Sequence, residues 1–227
     1  MRMRHAQTKI KTKTPNGNIA HLEEPWRLFR IMGEFVDGFE ELSEVGPAVA
    51  VFGSSRITWR DPYYQLARRI AKRLVQAGYS IITGAGPGAM EGANRGAVDG
   101  KGQSIGLNIH LPIQQEANRY VRKLLNFKYF FCRRVMFVKY SKAFVVMPGG
   151  YGTLDEFFEI VTLIQTEKLD PIPVILVGRA FWQGLLDWMK RELVGRGYID
   201  GKDLRLFHVT DTPAEILDII ESFYRPT

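Results

Sequence analysis

The sequence predicts one α/β domain, a doubly wound and mostly parallel sheet of Rossmann-like type. Three observations carry that reading. Short β-type runs alternate with helical stretches of about 10–15 residues from Glu24 onward. Runs such as Phe144-Val145-Val146-Met147 are apolar without alternation, as in strands buried on both faces. Three of the strands end in glycine-rich loops that lead into helices.

The elements follow in order. Pro25-Trp26 opens an amphipathic helix whose apolar residues Leu28, Ile31, Met32, Phe35, Phe39 and Leu42 recur at three and four. Ala48–Phe52 reads as a buried strand ending at Gly53-Ser54-Ser55-Arg56. Pro62–Gln76 reads as a helix closed by Gly78. Tyr79–Thr83 is a second strand, running into Gly84-Ala85-Gly86-Pro87-Gly88-Ala89-Met90 and a helix to Val98. Gln103–Asn108, Phe127–Phe131 and Ala143–Met147 read as further strands, the last two separated by a basic helix, Cys132–Tyr140. After Pro148-Gly149-Gly150-Tyr151-Gly152-Thr153 comes a helix to Thr166. A strand at Ile172–Val177 and helices at Phe181–Glu192 and Pro213–Phe223 complete the pattern.

Nothing divides residues 21–227 into two domains, and no repeat or low-complexity tract interrupts them. Hydrophobic residues are 45% and charged residues 24% of the chain, an ordinary globular composition. A chain of this length buries roughly 70% of its unfolded surface and needs no disulfide or metal to hold a core. Its single cysteine, Cys132, forms no internal disulfide and favours a reducing compartment, so a cytoplasmic protein is expected. The longest apolar runs are too short to cross a bilayer.

The formal charge of +7 is concentrated at one end. Residues 1–15 carry Arg2, Arg4, Lys9, Lys11 and Lys13 without an acidic residue, while the rest holds 26 basic and 24 acidic side chains. Residues 1–20 therefore read as a basic disordered tail, with nucleic acid not the expected partner of the folded body.

Three glycine-rich helix entrances in one domain point to a phosphorylated ligand, because exposed backbone N–H groups and the helix dipole favour anions there. Gly84-x-Gly86-x-x-Ala89 formally matches the dinucleotide fingerprint. It follows the second strand, however, and no acidic residue stands near Gln103–Asn108 to hold a ribose, which argues against NAD. Thr153-x-x-Glu156 admits two readings, a capping box or a catalytic carboxylate beside an anion loop. Arg133 and Arg134 are either anion ligands or part of a solvated basic turn with Lys139 and Lys142. Cys132 reads as a core residue, and the four scattered histidines show no metal-ligand spacing. No metal or cofactor is expected.

Phe130-Phe131-Cys132-Arg133-Arg134-Val135-Met136 followed by Pro148-Gly149-Gly150-Tyr151-Gly152-Thr153-Leu154-Asp155-Glu156 resembles the LONELY GUY (LOG) family. Its members are cytokinin riboside 5′-monophosphate phosphoribohydrolases, long mislabelled as lysine decarboxylases. Their pattern is an Arg-Lys pair on a helix, then Pro-Gly-Gly-x-Gly-Thr-x-x-Glu. Gly84–Met90 and Gly53-Ser54-Ser55 resemble the family's other loops, and the likeness spans about Glu24–Phe223. Two positions depart from the pattern: Arg134 stands where Lys is usual, and Ala85 where Gly is usual.

The resemblance implies hydrolysis of the N-glycosidic bond of adenine-type nucleoside 5′-monophosphates, AMP or its N6-prenylated cytokinin forms, to free base and ribose 5-phosphate. It implies Arg133 and Glu156 as catalytic residues. It assigns substrate and phosphate binding to Gly53, Ser54, Ser55, Gly84, Gly86, Gly88, Met90, Arg134, Gly149, Gly150, Tyr151, Gly152 and Thr153. An ionised Glu156, held so by a helix's first turn, would stabilise the oxocarbenium-like ribose as electrostatic partner or base. Water or Asp155 would then protonate the leaving base. The resemblance also implies a homodimer or a multiple of dimers. The competing class is a nucleotide- or cofactor-binding module of the same fold that cleaves nothing.

Overall fold

The computed structural model describes residues 20–111 and 116–225, with side chains from Trp26 onward. The segment expected to form a basic tail lies outside them, except for Ala20, which opens the first helix. The elements run α1 (Ala20–Leu42), β1 (Ala48–Phe52), α2 (Pro62–Gln76), β2 (Ser80–Thr83), α3 (Ala89–Asp99), β3 (Ser104–Ile109) and β4 (Lys123–Phe127). They continue with α4 (Phe130–Tyr140), β5 (Ser141–Val146), α5 (Tyr151–Gln165), β6 (Val174–Val177), α6 (Arg179–Trp188), β7 (His208–Thr210) and α7 (Pro213–Tyr224).

The strands form one seven-stranded sheet in the order β4-β3-β2-β1-β5-β6-β7, with every pairing parallel. All five residues of β1 are buried, as its unbroken apolar run requires. Alternate residues of β1 serve opposite faces. Ala48, Ala50 and Phe52 pack with Met136, Phe137 and Phe157, whereas Val49 and Val51 pack with Ile70, Leu74 and Ile220. Helix entrances follow local chemistry: Asp61 caps α2 by accepting the Tyr63 N–H at 2.8 Å ahead of Pro62, and Thr212 caps α7 ahead of Pro213. Among the described residues no helix is long and apolar enough to cross a membrane.

The main departure from the sequence expectation is at β4. The strand expected at Phe127–Phe131 is β4 at Lys123–Phe127, and Phe130 already belongs to α4. Glu34 of α1 accepts the N–H groups of Lys128 (2.8 Å) and Tyr129 (3.2 Å), removing them from the sheet ladder. The aromatic run Tyr129-Phe130-Phe131 has strand propensity, but this contact ends the strand before it. β7 is a further strand that the sequence does not predict, because its three residues carry too little pattern.

Candidate active site

From β1 the chain winds outward through β2, β3 and β4; from β5 it winds the other way through β6 and β7. The carboxyl ends of β1 and β5 therefore flank a topological switch point, where such sheets bind ligands. All three glycine loops meet here and are tied together at Ser54. The Ser54 N–H donates to the Pro148 carbonyl at 3.0 Å, and the Ala89 N–H donates to the Ser54 carbonyl at 2.9 Å. Gly88 has φ +71°, and a Cβ there would lie 2.2 Å from the Ser54 oxygen. Only glycine lets these loops approach so closely.

The loop after β2 is braced from beneath by a buried polar network that the sequence motifs do not announce. Asn118 donates to the carbonyls of Ala85 and Gly86 and to Asn94 Oδ1, which also accepts from Thr83 Oγ1 at 2.7 Å. Thr83 Oγ1 accepts the Ala85 N–H in turn. Ala85 sits at φ +63°, the left-handed region that favours glycine, and this chain holds an alanine there.

The loops open onto a cavity of about 650 Å³, a size suited to a small ligand. Gly53, Ser54, Ser55, Gly84, Gly150, Tyr151, Gly152 and Thr153 line one side. Phe52, Met90, Ile109, Leu111, Phe130 and Phe137 supply apolar wall, and Arg133 and Glu156 face the interior. Gly86, Gly88 and Gly149 stand behind that lining, in the loop contacts themselves. A Cβ at Gly149 would meet Thr153 Oγ1 at 2.1 Å.

Arg133, on the first turn of α4, puts its Nη2 3.3 Å from Glu156 Oε1. Both side chains are nearly buried, and the guanidinium lies over the rings of Phe130 (5.4 Å) and Phe137 (5.7 Å). Its Nε has no hydrogen-bond partner among the described residues. The cap of α5 is Gly150, with no side-chain cap bond, so Thr153 lies inside the helix and the capping-box reading of Glu156 falls away. Glu156 sits one turn deeper than the dipole argument assumed. Burial pushes its carboxyl up to about 7, outweighing the pull of Arg133. Burial likewise lowers the Arg133 guanidinium below its usual value.

Arg134 points elsewhere. It pairs with Asp155 and, at 3.0 Å, with Glu159 on the outer side of α5, where it lines a second, open groove of about 800 Å³. Tyr151, Gly152 and Leu154 border both spaces. Arg56, outside the expected site set, lines the main cavity. Its backbone N–H donates to Ser54 Oγ at 3.1 Å, and a cation two residues beyond the Gly53-Ser54 turn was the signal available for it. Cys132 is fully buried with its thiol pushed up to about 11, in keeping with a core role.

A family model described as possible lysine decarboxylase matches residues 90–220. A probable cytokinin riboside 5′-monophosphate phosphoribohydrolase of Arabidopsis thaliana is 32% identical over 154 residues, covering 67% of this chain and 76% of that one. The chain belongs to the LOG family. Another probable cytokinin riboside 5′-monophosphate phosphoribohydrolase, from rice (Oryza sativa subsp. japonica), is 25% identical and covers 74% of each chain. This LOG-family fold also aligns with a structural-genomics crystal structure at TM-score 0.59 and 24% identity, over 78% of this chain and 99% of that one. The molybdenum cofactor carrier protein of Chlamydomonas reinhardtii aligns at 0.55 and 23% identity, over 78% and 98%. At those identities the two structures bear on the fold alone.

Proposed function

We infer that the cavity hydrolyses the N-glycosidic bond of an adenine-type nucleoside 5′-monophosphate, releasing free base and ribose 5-phosphate. The observation that carries this is the buried Arg133–Glu156 pair facing a cavity rimmed by three backbone-rich anion loops. The glycine loops and the Arg56 side chain are suited to the 5′-phosphate, and the apolar wall from Met90 to Phe137 is suited to the flat base. As the bond from C1′ to the base nitrogen breaks, its electron pair leaves with the base and positive charge develops on the ribose. Glu156 in its carboxylate form stabilises that charge and takes a proton from the water that attacks C1′. With its carboxyl near 7, the same group can then return that proton to the base nitrogen, so no separate acid is required. Arg133 contributes positive charge beside the departing base or the phosphate.

The working unit in this reading is a homodimer joined across the groove on α5, which adjoins the cavity through Tyr151, Gly152 and Leu154. The deciding experiment incubates purified protein with AMP and with isopentenyladenosine monophosphate and measures free base by chromatography. Release from either supports hydrolysis. Tight binding of both without release would assign the cavity to a nucleotide-binding module instead.

A further inference from the structure

We propose that Asn118 is a positioning residue for phosphate recognition, its side chain holding Ala85 in the left-handed conformation that shapes the loop after β2. This deepens the reading above and rests on it, since that loop is taken there as part of the 5′-phosphate cradle.

Three non-glycine residues among those described have positive φ: Ala85, Lys101 and Glu167. Lys101 and Glu167 are exposed and follow the ends of α3 and α5, where a left-handed residue is ordinary. Ala85 is fully buried and follows a strand. A left-handed alanine crowds its own Cβ, so such a residue persists only where its surroundings fix it.

The surroundings do so from three sides. Thr83 Oγ1 accepts the Ala85 N–H at 3.0 Å. The Ala85 methyl packs over Gly106 of β3, where a Cβ would lie 2.8 Å from it. Asn118 holds the exit: its backbone N–H (2.8 Å) and its side-chain amide (3.0 Å) both donate to the Ala85 carbonyl. The same amide donates to the Gly86 carbonyl at 3.0 Å and to Asn94 Oδ1 of α3 at 2.9 Å, so one side chain ties the loop to the helix it enters.

Two further observations give this brace a purpose. In a trans peptide the carbonyl and the next N–H point opposite ways, so the Gly86 N–H is turned away from Asn118. Gly86 is buried and no described residue accepts that N–H, as expected of a donor kept for an anion. Asn118 is itself anchored. Its Oδ1 accepts the Tyr120 N–H at 3.1 Å, and the Tyr120 ring carries the guanidinium groups of Arg95 (5.5 Å) and Arg119 (5.1 Å).

A double-mutant cycle on the full chain tests this, with AMP and adenosine affinities read by calorimetry. Asn118→Ala should weaken AMP binding about tenfold and leave adenosine binding in place. Glycine adopts the left-handed turn without a Cβ clash, so in the Ala85→Gly background the same replacement should cost no more than about threefold. Circular dichroism checks the fold, and Asn118→Ser, which keeps one donor, takes the place of Asn118→Ala if that variant does not fold. Equal losses in both backgrounds overturn the proposal, because Asn118 would then act on something other than the conformation of Ala85. Equal losses on AMP and adenosine overturn it as well. Binding is read without turnover, so a wild type that binds AMP and releases no base would sink the hydrolysis reading while the cycle still decides this one. A wild type that binds neither nucleotide overturns both.

Discussion

Arg133 Nη2 and Glu156 Oε1 stand 3.3 Å apart in the cavity, yet the carboxyl titrates near 7, so burial outweighs the ion pair. Two charges taken from water lose more hydration than one contact at that distance returns. A carboxyl poised near neutrality can take and give a proton in one cycle, which a carboxylate fixed at its ordinary value could not do efficiently.

The first consequence concerns Glu156→Gln. The amide keeps the shape and loses both the charge and the titration. Base release should fall about 10²-fold or more while the circular dichroism spectrum stays unchanged. Turnover within a few-fold of wild type would remove Glu156 from the chemistry.

The pH profile follows from the same carboxyl. Its base form disappears as pH falls through about 7, so kcat/KM should drop roughly tenfold per unit below that point. The charge of Arg133 pulls the carboxyl down, so Arg133→Met should move the limb to higher pH. Stability is linked to the same group. A carboxyl raised from 4.5 to about 7 favours the folded state below 4.5, and that contribution is lost as pH rises through about 7. Urea titrations at pH 4.5 and pH 8 should reveal the loss in wild type and not in Glu156→Gln.

Phosphate recognition is tested by comparing AMP with adenosine. Three anion loops predict that kcat/KM favours the monophosphate by at least about 10²-fold, or roughly 2.7 kcal/mol. Arg56 lines the cavity beside Ser54 and Ser55. Arg56→Ala should raise KM for AMP about tenfold and leave adenosine unaffected. Equal losses on both substrates would detach Arg56 from the phosphate.

The parts of this fold legible in the sequence are those whose cause is local. Pro62–Gln76 carries its cap, its proline and its apolar stripe, and the helix has those bounds. The buried strand β1 and the Ala143–Val146 part of β5 declare themselves as unbroken apolar runs, and glycine loops lie at their ends. What stayed hidden depends on residues far apart. Glu34 ends β4 from 94 positions away, and Asn94 and Asn118 brace the loop after β2 from the helix beyond it and from a later segment. Glu156 is recognisable as a motif residue, but its titration is not legible in the sequence. The helix dipole can be read from position, whereas burial at side-chain exposure of 7% cannot.

Gly88 tests the loop architecture itself. Its φ of +71° and the Ser54 oxygen 2.2 Å from a would-be Cβ leave no room for a side chain. Gly88→Ala should cost about 3 kcal/mol, the sum of backbone strain and displacement of the Ser54 loop. For a chain of this size that is a fall in Tm of roughly 6–12 °C by calorimetry. An unchanged Tm would show that the loops are not tied at Ser54.

The last prediction concerns α5 and the subunit boundary. Phe157, Ile160 and Ile164 of this helix are buried against the sheet, while Leu154, Phe158 and Leu163 line the open groove beside the cavity. α1 packs on α4 and supplies no residue to this groove. The groove therefore presents an apolar floor edged by Arg134, Asp155 and Glu159, a combination suited to a contact between two copies. Because a two-fold contact uses the same patch on both subunits, one new charge is met twice. Phe158→Glu should abolish this contact in light scattering. It should also lower base release, since Tyr151, Gly152 and Leu154 border both the groove and the cavity. A variant that loses the contact yet keeps full activity would separate assembly from catalysis, and one that keeps the wild-type mass would place the subunit boundary elsewhere.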